Sequence, residues 1–376
     1  MGNEVKVTPE AIDKILVALR GGDVTRNLPD KNVLQTMVET ALWAGLRREE
    51  NRQLSFAFAY VSPSNCKPDE KIEFKSALAL DHKEIVGIAP ALLPKRSRFG
   101  VIVNEGKPMV WGITMTTKPC AKVRALAPGR VVVKYGLENI AVLEPPDLYL
   151  VAGTLQTCMK RITNSIAGTG GERPVLAAML LMIVDAVRRQ GNGGTLLVGP
   201  HGKHDWIDGA LQPKILQARN PSPGLADELA QRETAAKERG GSEFEAALGD
   251  LEIRAFLNGE RVKETLWRKV AGIGQLSAVD GAVVVDDQLH LIDFGTKILA
   301  DEPPKYLEQE VGIESETEKP IEAVGGTRHR SAAAFVECRR DAVAFVASHD
   351  GPLSLFVYDL EKGTVVRLRH LERLID

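Results

Sequence analysis

Two stretches decide the fold of this chain: Ala278-Val279-Asp280-Gly281-Ala282-Val283-Val284-Val285-Asp286, and Gly325-Gly326-Thr327-Arg328-His329-Arg330-Ser331-Ala332-Ala333-Ala334-Phe335. The first reads as a strand entering a tight turn, because β-branched residues follow an Asp-Gly pair. The second reads as a glycine loop opening a helix of small residues. The free N–H groups and positive dipole end of such a helix form an anion site. Arg328 and Arg330 in its first turn add guanidinium forks that suit phosphate. A carboxylate such as Asp280, arriving from a separate strand, is what a divalent metal on a nucleotide requires. Together the two stretches predict a nucleoside triphosphate site.

The pair also resembles the diadenylate cyclase domain, whose signatures are Asp-Gly-Ala and, later, Gly-Thr-Arg-His-Arg followed by small residues. Both stand here in that order, at Asp280-Gly281-Ala282 and Gly326-Thr327-Arg328-His329-Arg330. The resemblance extends to an amphipathic helix at Pro174–Gln190 and a core strand at Thr195–Val198. A closing hairpin, 342–348 and 353–357, turns at Asp350-Gly351 and carries the family's serine at Ser348. Coverage runs from about residue 170 to 376. The approach to Asp280 and the Arg-His-Arg-Ser-Ala run look most like the DNA-integrity-scanning branch. The layout, with an added N-terminal region, looks like sensor-domain (DACNV-type) proteins joined to this fold.

The resemblance implies an α/β domain with a mixed sheet that condenses two ATP into cyclic di-AMP, releasing pyrophosphate. Two such domains would face each other, so a homo-oligomer is expected. Carried onto this sequence, Asp280, Arg328, His329 and Arg330 become the expected catalytic residues. Gly281, Ala282, Gly326, Thr327 and Ser348 become nucleotide contacts, and Asp280 becomes the ligand of Mg²⁺ or Mn²⁺ carried with ATP. A nucleotide sensor that binds ATP or a cyclic dinucleotide without turnover is the alternative. The large N-terminal module and altered metal surroundings favour it, since Val279 stands where some branches have a histidine and His349-Asp350 where they have acidic residues. Gly295-Thr296-Lys297-Ile298-Leu299 replaces the family's leucine-proline-leucine-serine segment, a departure that bears on the adenine contacts. No helix-hairpin-helix pattern follows the hairpin, so no DNA-binding domain is expected.

Composition gives the setting. The chain has 376 residues, 44% hydrophobic and 26% charged, which is enough for two cores. Its net charge of −2 supplies no general pull towards nucleic acid. No apolar run reaches a membrane span, and the N-terminus lacks a secretory signal, so a cytoplasmic protein is expected. The four cysteines, Cys66, Cys120, Cys158 and Cys338, form no Cys-x-x-Cys pair and read as reduced thiols.

The chain divides by pattern into an N-terminal α+β module (1–150), a connector (151–172) and the cyclase-like domain (173–376), with insertions near 217–250 and 300–324. Helices are expected at Pro9–Arg20, Asp30 to about Glu49 and Lys83 to about residue 93, and a strand at Leu54–Val61. Hairpins are expected around Glu105-Gly106 and Pro128-Gly129. Gly168-Thr169-Gly170-Gly171 lacks the Lys-Ser end of a phosphate loop and reads as linker. His201-Gly202-Lys203-His204-Asp205 has metal-ligating residue types but reads as an exposed polar loop. His290 reads as an exposed strand residue, and Tyr306–Glu322, rich in glutamate, as a solvated acidic loop.

Overall fold

The computed structural model describes residues 7–21, 26–49, 52–54, 56–92, 97–136, 138–167, 174–201, 207, 209–213 and 270–375. The expected insertion at 217–250, the glycine stretch 168–171 and residues 202–206 lie outside them. The chain is built from two large mixed β-sheets and a few helices, and it separates into two compact units, Met1–Gly153 and Thr154–Ile375.

In the first unit, α1 spans Pro9–Arg20 and α2 spans Lys31–Gly45. The Thr8 hydroxyl accepts the Ala11 N–H at 3.2 Å and the Asp30 carboxylate accepts that of Val33 at 2.9 Å, so each helix starts on a side-chain cap. α1 stops at Gly21, whose φ of 51° lies in the left-handed region. A two-residue ladder, β1 (Arg48–Glu49) and β2 (Arg52–Gln53), follows. Then come β3 (Ala57–Tyr60), β4 (Lys71–Ala79), α3 (His82–Ile88), β5 (Arg98–Asn104), β6 (Lys107–Thr114), β7 (Ala121–Ala127), β8 (Arg130–Tyr135), β9 (Glu138–Glu144) and β10 (Asp147–Leu150).

The eight-stranded sheet runs β10-β9-β8-β7-β3-β5-β6-β4, antiparallel except where β3 lies parallel to β5. Val33, Leu34, Met37, Val38 and Leu42 of α2 enter one core with Ile12, Ile15 and Leu19 of α1 and with Phe58, Phe99, Val123 and Val133 of the sheet. Each such side chain contributes about 1.5–3 kcal/mol on burial. Trp111 is buried in a smaller cluster with Val61, Cys66 and Cys120, and its Nε1 donates to the Val61 carbonyl at 2.8 Å. Gly100 is required beside it, since a Cβ there would lie 2.2 Å from the indole ring.

The second unit begins with α4 (Thr154–Ala167), inside the stretch expected to connect the domains, and α5 (Pro174–Arg189). Its strands are β11 (Gly194–Gly199), β12 (Leu211–Gln212), β13 (Ala282–Asp286), β14 (Leu291–Ile298), β15 (Lys305–Glu310), β16 (Glu316–Pro320), β17 (Val343–Ala347), β18 (Leu353–Asp359) and β19 (Thr364–Arg369). Helix α6 (Thr327–Cys338) lies between β16 and β17, and α7 (Glu372–Ile375) ends the unit. The nine-stranded order is β12-β14-β13-β11-β17-β18-β19-β15-β16, with β11–β13 and β15–β19 parallel. Strand residues alternate between the two faces. Leu197, Val284, Ala344, Val346 and Phe356 therefore pack with Ala332, Ala333, Phe335 and Val336 of α6. Gly194, on the other face of β11, meets Val187 of α5.

Several local expectations change. Tyr306–Glu322 is not a loop: β15 and β16 pair antiparallel, and β15 adds to β19. Tyr306 and Glu308 point inward there, and Glu308 is held by Lys319 at 2.5 Å, Arg369 at 3.1 Å and Arg367 at 3.2 Å. His290 is buried rather than exposed, because Leu289 turns the chain at φ 61° just before β14. Among the described residues of 54–61, regular strand spans Ala57–Tyr60, and α3 ends at Ile88 in a 3₁₀ turn, Ala89–Ala91.

Candidate functional site

The Asp280-Gly281-Ala282 stretch enters β13, and the Gly326-Thr327-Arg328 stretch enters α6. The sheet brings both onto one cavity of about 640 Å³. Asp280, Gly281, Ala282, Thr327 and Arg328, all singled out from the sequence, line it. Thr195, Gln212, Pro213, Gly295, Thr296, Lys297, Ile298 and Ser331 complete it. Of these, Gly295–Ile298 belong to the segment that departs from the family pattern, so that departure falls within the cavity wall. Lys297 and Arg328 outweigh the single carboxylate of Asp280, which makes the lining net cationic.

The glycines serve the backbone here. Gly281 adopts φ 123°, and a Cβ on it would lie 2.4 Å from the Gly295 carbonyl carbon. Two glycines thus let β13 and β14 approach where their register shifts. Gly326 is the N-cap of α6 with ordinary extended dihedrals, and no side chain caps the helix. The His329 and Arg330 N–H groups donate to the Gly326 carbonyl at 3.0 and 3.2 Å, which leaves those of Thr327 and Arg328 for a ligand or for water at the cavity wall. Arg328 extends from this turn towards Asn192-Gly193, with Nη1 3.5 Å from the Asn192 carbonyl oxygen.

The remaining predicted residues do not line the cavity. His329 is half-buried behind it, its Nε2 3.5 Å from the Ser348 hydroxyl and its ring edge-on to Phe356 at 6.1 Å. Burial, and then the cations of Arg367, Arg369 and Arg328, lower its pKa to about 4, against a smaller opposing pull from Asp350. The imidazole is therefore neutral near pH 7, inside a cationic surround. Arg330 is exposed and forms a two-pronged pair with Glu302, at 2.6 and 2.9 Å to Oε2. Its pKa is raised, first by that hydrogen bond and then by the charge of Glu302.

Thr195, Gln212, Lys297 and Ser331 were not singled out from the sequence. Thr195 and Lys297 sit in strands whose pattern shows only burial and alternation. Only the juxtaposition of β11, β14 and α6 gives them a common cavity.

Among the described residues, Asp280 is the one carboxylate on the cavity, and it is solvent-exposed. One carboxylate beside groups suited to phosphate fits Mg²⁺ or Mn²⁺, which take one or two protein oxygens and complete their shells with phosphate and water.

Comparison with known proteins adds one family finding. A model described as "Probable sensor domain DACNV" matches residues 23–115, within the first unit. That match supports the layout in which a sensor domain stands in the N-terminal region. No curated protein matches the chain. A solved structure described as a hypothetical membrane spanning protein from Bacillus cereus is 14% identical. The alignment has a TM-score of 0.25 and covers 51% of this chain and 62% of that one. The chain thus spans about three-fifths of that relative's length, and the likeness carries no structural weight. Among the described residues, no helix is long and apolar enough to cross a membrane.

Proposed function

We propose that the second unit binds ATP in the cavity between β13 and α6 and condenses two ATP into cyclic di-AMP. The observation that carries this reading is the convergence of Asp280, Gly281, Ala282, Thr327 and Arg328 on one cationic cavity of about 640 Å³. A nucleoside triphosphate needs that volume, a phosphate grip and one metal-bearing carboxylate. Arg328, Thr327 and the uncapped start of α6 hold the phosphates, and Lys297 adds charge from β14. Neutral His329 supports the first turn from behind, and Ser348 sits against its ring. Asp280 holds Mg²⁺ or Mn²⁺, which supplies charge neutralisation at the phosphates when bound. Positioning and charge account for most of such catalysis. One cavity accepts one ATP, so the reaction brings two copies of the second unit face to face, each ribose 3′-hydroxyl attacking the other's α-phosphate and displacing pyrophosphate.

The sensor-domain match at residues 23–115 favours a second reading. In it, the cavity binds ATP or a cyclic dinucleotide without turnover. The engagement of Arg330 by Glu302, outside the cavity, points the same way. Calorimetric titration of the full chain with a non-hydrolysable ATP analogue and with cyclic di-AMP, beside Arg328→Ala, tests what both readings share. Binding weakened at least tenfold by Arg328→Ala is expected; absence of binding by either nucleotide overturns both.

A further inference from the structure

We infer a second metal site, distinct from the Asp280 cavity, formed by His201, Asp286 and His290. It would take a first-row divalent cation of the zinc type. Asp286 closes β13, and its partner in the parallel ladder is Gly199, the last residue of β11. His201 follows two residues later, so it leaves the sheet beside Asp286. The turn after β13 returns His290 to the same carboxylate. Leu289 adopts φ 61° to make that return, and the Asp286 Oδ1 accepts the N–H groups of Gln288 at 3.0 Å and His290 at 2.8 Å.

Oδ1 is thereby committed to the turn, and Oδ2 faces two imidazoles. His201 Nδ1 lies 2.7 Å from it and His290 Nδ1 2.8 Å, with the ring centroids 5.1 Å apart. One ligand atom from each of the three residues falls within 4.8 Å of the others. Asp287 Oδ1 holds the His201 backbone N–H at 2.8 Å, which fixes the third ligand's main chain to the same turn.

Charge and burial argue for a cation. The Asp286 side chain is 2% exposed and that of His290 7%, whereas His201 is 46% exposed. A carboxylate so buried is stable only when its charge is compensated. Among the described residues no lysine or arginine pairs with Asp286; the groups facing it are imidazoles and two backbone amides. Two nitrogens and one oxygen are the donor set that zinc and its first-row neighbours prefer over magnesium. Ligand distances of about 2.0–2.2 Å require these donors to spread to about 3.4 Å, a movement of about 0.6 Å per pair. Exposed His201 opens the fourth position to water. β13, Ala282–Asp286, about 16 Å of extended chain, separates this cluster at its end from Asp280 before its start, so neither site shares a ligand with the other.

The test uses the full chain, stripped with chelator and then dialysed against Zn²⁺ or Co²⁺ without nucleotide. One tightly held equivalent per chain is expected, with a Co²⁺ absorption spectrum of low coordination number. His201→Ala, at a surface position, should weaken binding at least tenfold, and His290→Asn likewise. Asp280→Asn should leave it unchanged, so failure of the nucleotide reading would not touch this one. A chain that holds no stoichiometric metal overturns the site, as does one whose metal survives His201→Ala undiminished.

Discussion

Replacing Gly281 with alanine places a Cβ 2.4 Å from the Gly295 carbonyl carbon, and does so at a φ of 123°. The obstructing atoms are backbone on β14, so no side chain can rotate away. The positive φ costs about 1–3 kcal/mol for a residue with a Cβ. Forcing β13 and β14 apart adds about 1–3 kcal/mol, as overpacking does elsewhere. Taking the middle of each range, Gly281→Ala should destabilise the second unit by about 4 kcal/mol, or roughly 8–16 °C for a unit of this size. Gly326 provides the control. It belongs to the other motif, but its φ is −69° and a Cβ there meets nothing within 4 Å. Gly326→Ala should cost at most about 1 kcal/mol, since only a weak N-cap is lost. Scanning calorimetry of the full-length variants reads both. A Gly281→Ala shift below about 3 °C, or equal shifts at the two glycines, would refute the assignment of Gly281 to strand approach.

Three further outcomes follow from the same geometry. His329 titrates at about 4 when folded and near 6.5 when unfolded, so it contributes stability above pH 6.5 that is lost as pH falls towards 4. The loss should be about 1–2 kcal/mol after solvent screening of a half-buried ring. It should disappear from the difference between the parent and His329→Gln in urea unfolding at pH 7 and pH 4.5; an unchanged difference would contradict it. Burial raises the Glu308 carboxyl, but Lys319, Arg369 and Arg367 more than offset that and hold it below the ordinary range. Glu308→Ala strands those cations and should cost about 3–5 kcal/mol in calorimetry, whereas a solvated acidic loop would lose almost nothing. Thiol labelling of the native chain should modify Cys338 and spare Cys158, which is buried with its pKa raised to about 12. Equal labelling of the two would contradict the packing around α4.

The sequence carried much of this architecture where local chemistry agrees with global placement. The apolar spacing within Pro9–Arg20 and in the stretch from Asp30 marks α1 and α2, and both helices form there. The Glu105-Gly106 turn takes positive φ at both positions, 50° and 75°, as a two-residue hairpin demands. The acidic stretch at 306–322 misled for a physical reason. Its inward-facing positions are Tyr306 and Glu308, so the polar–apolar alternation that marks a half-buried strand is absent. The carboxylate is tolerated inside only because β19 and β16 deliver Arg367, Arg369 and Lys319 to it. His290 misled because Leu289 breaks the strand period, and nothing in its neighbours shows a left-handed turn. The two motifs that line the cavity were legible because each is contiguous. Lys297, Thr195 and the His201–Asp286–His290 cluster were not, since sheet order alone assembles them.

The central claim is tested most directly by incubating the full-length protein with ATP and Mg²⁺ or Mn²⁺ and measuring cyclic di-AMP by mass spectrometry, beside Asp280→Asn. Cyclic di-AMP from the parent, and its loss in a variant that still folds, is the predicted result. Nucleotide bound by the parent with no product under either metal would contradict condensation and leave the cavity a sensor's.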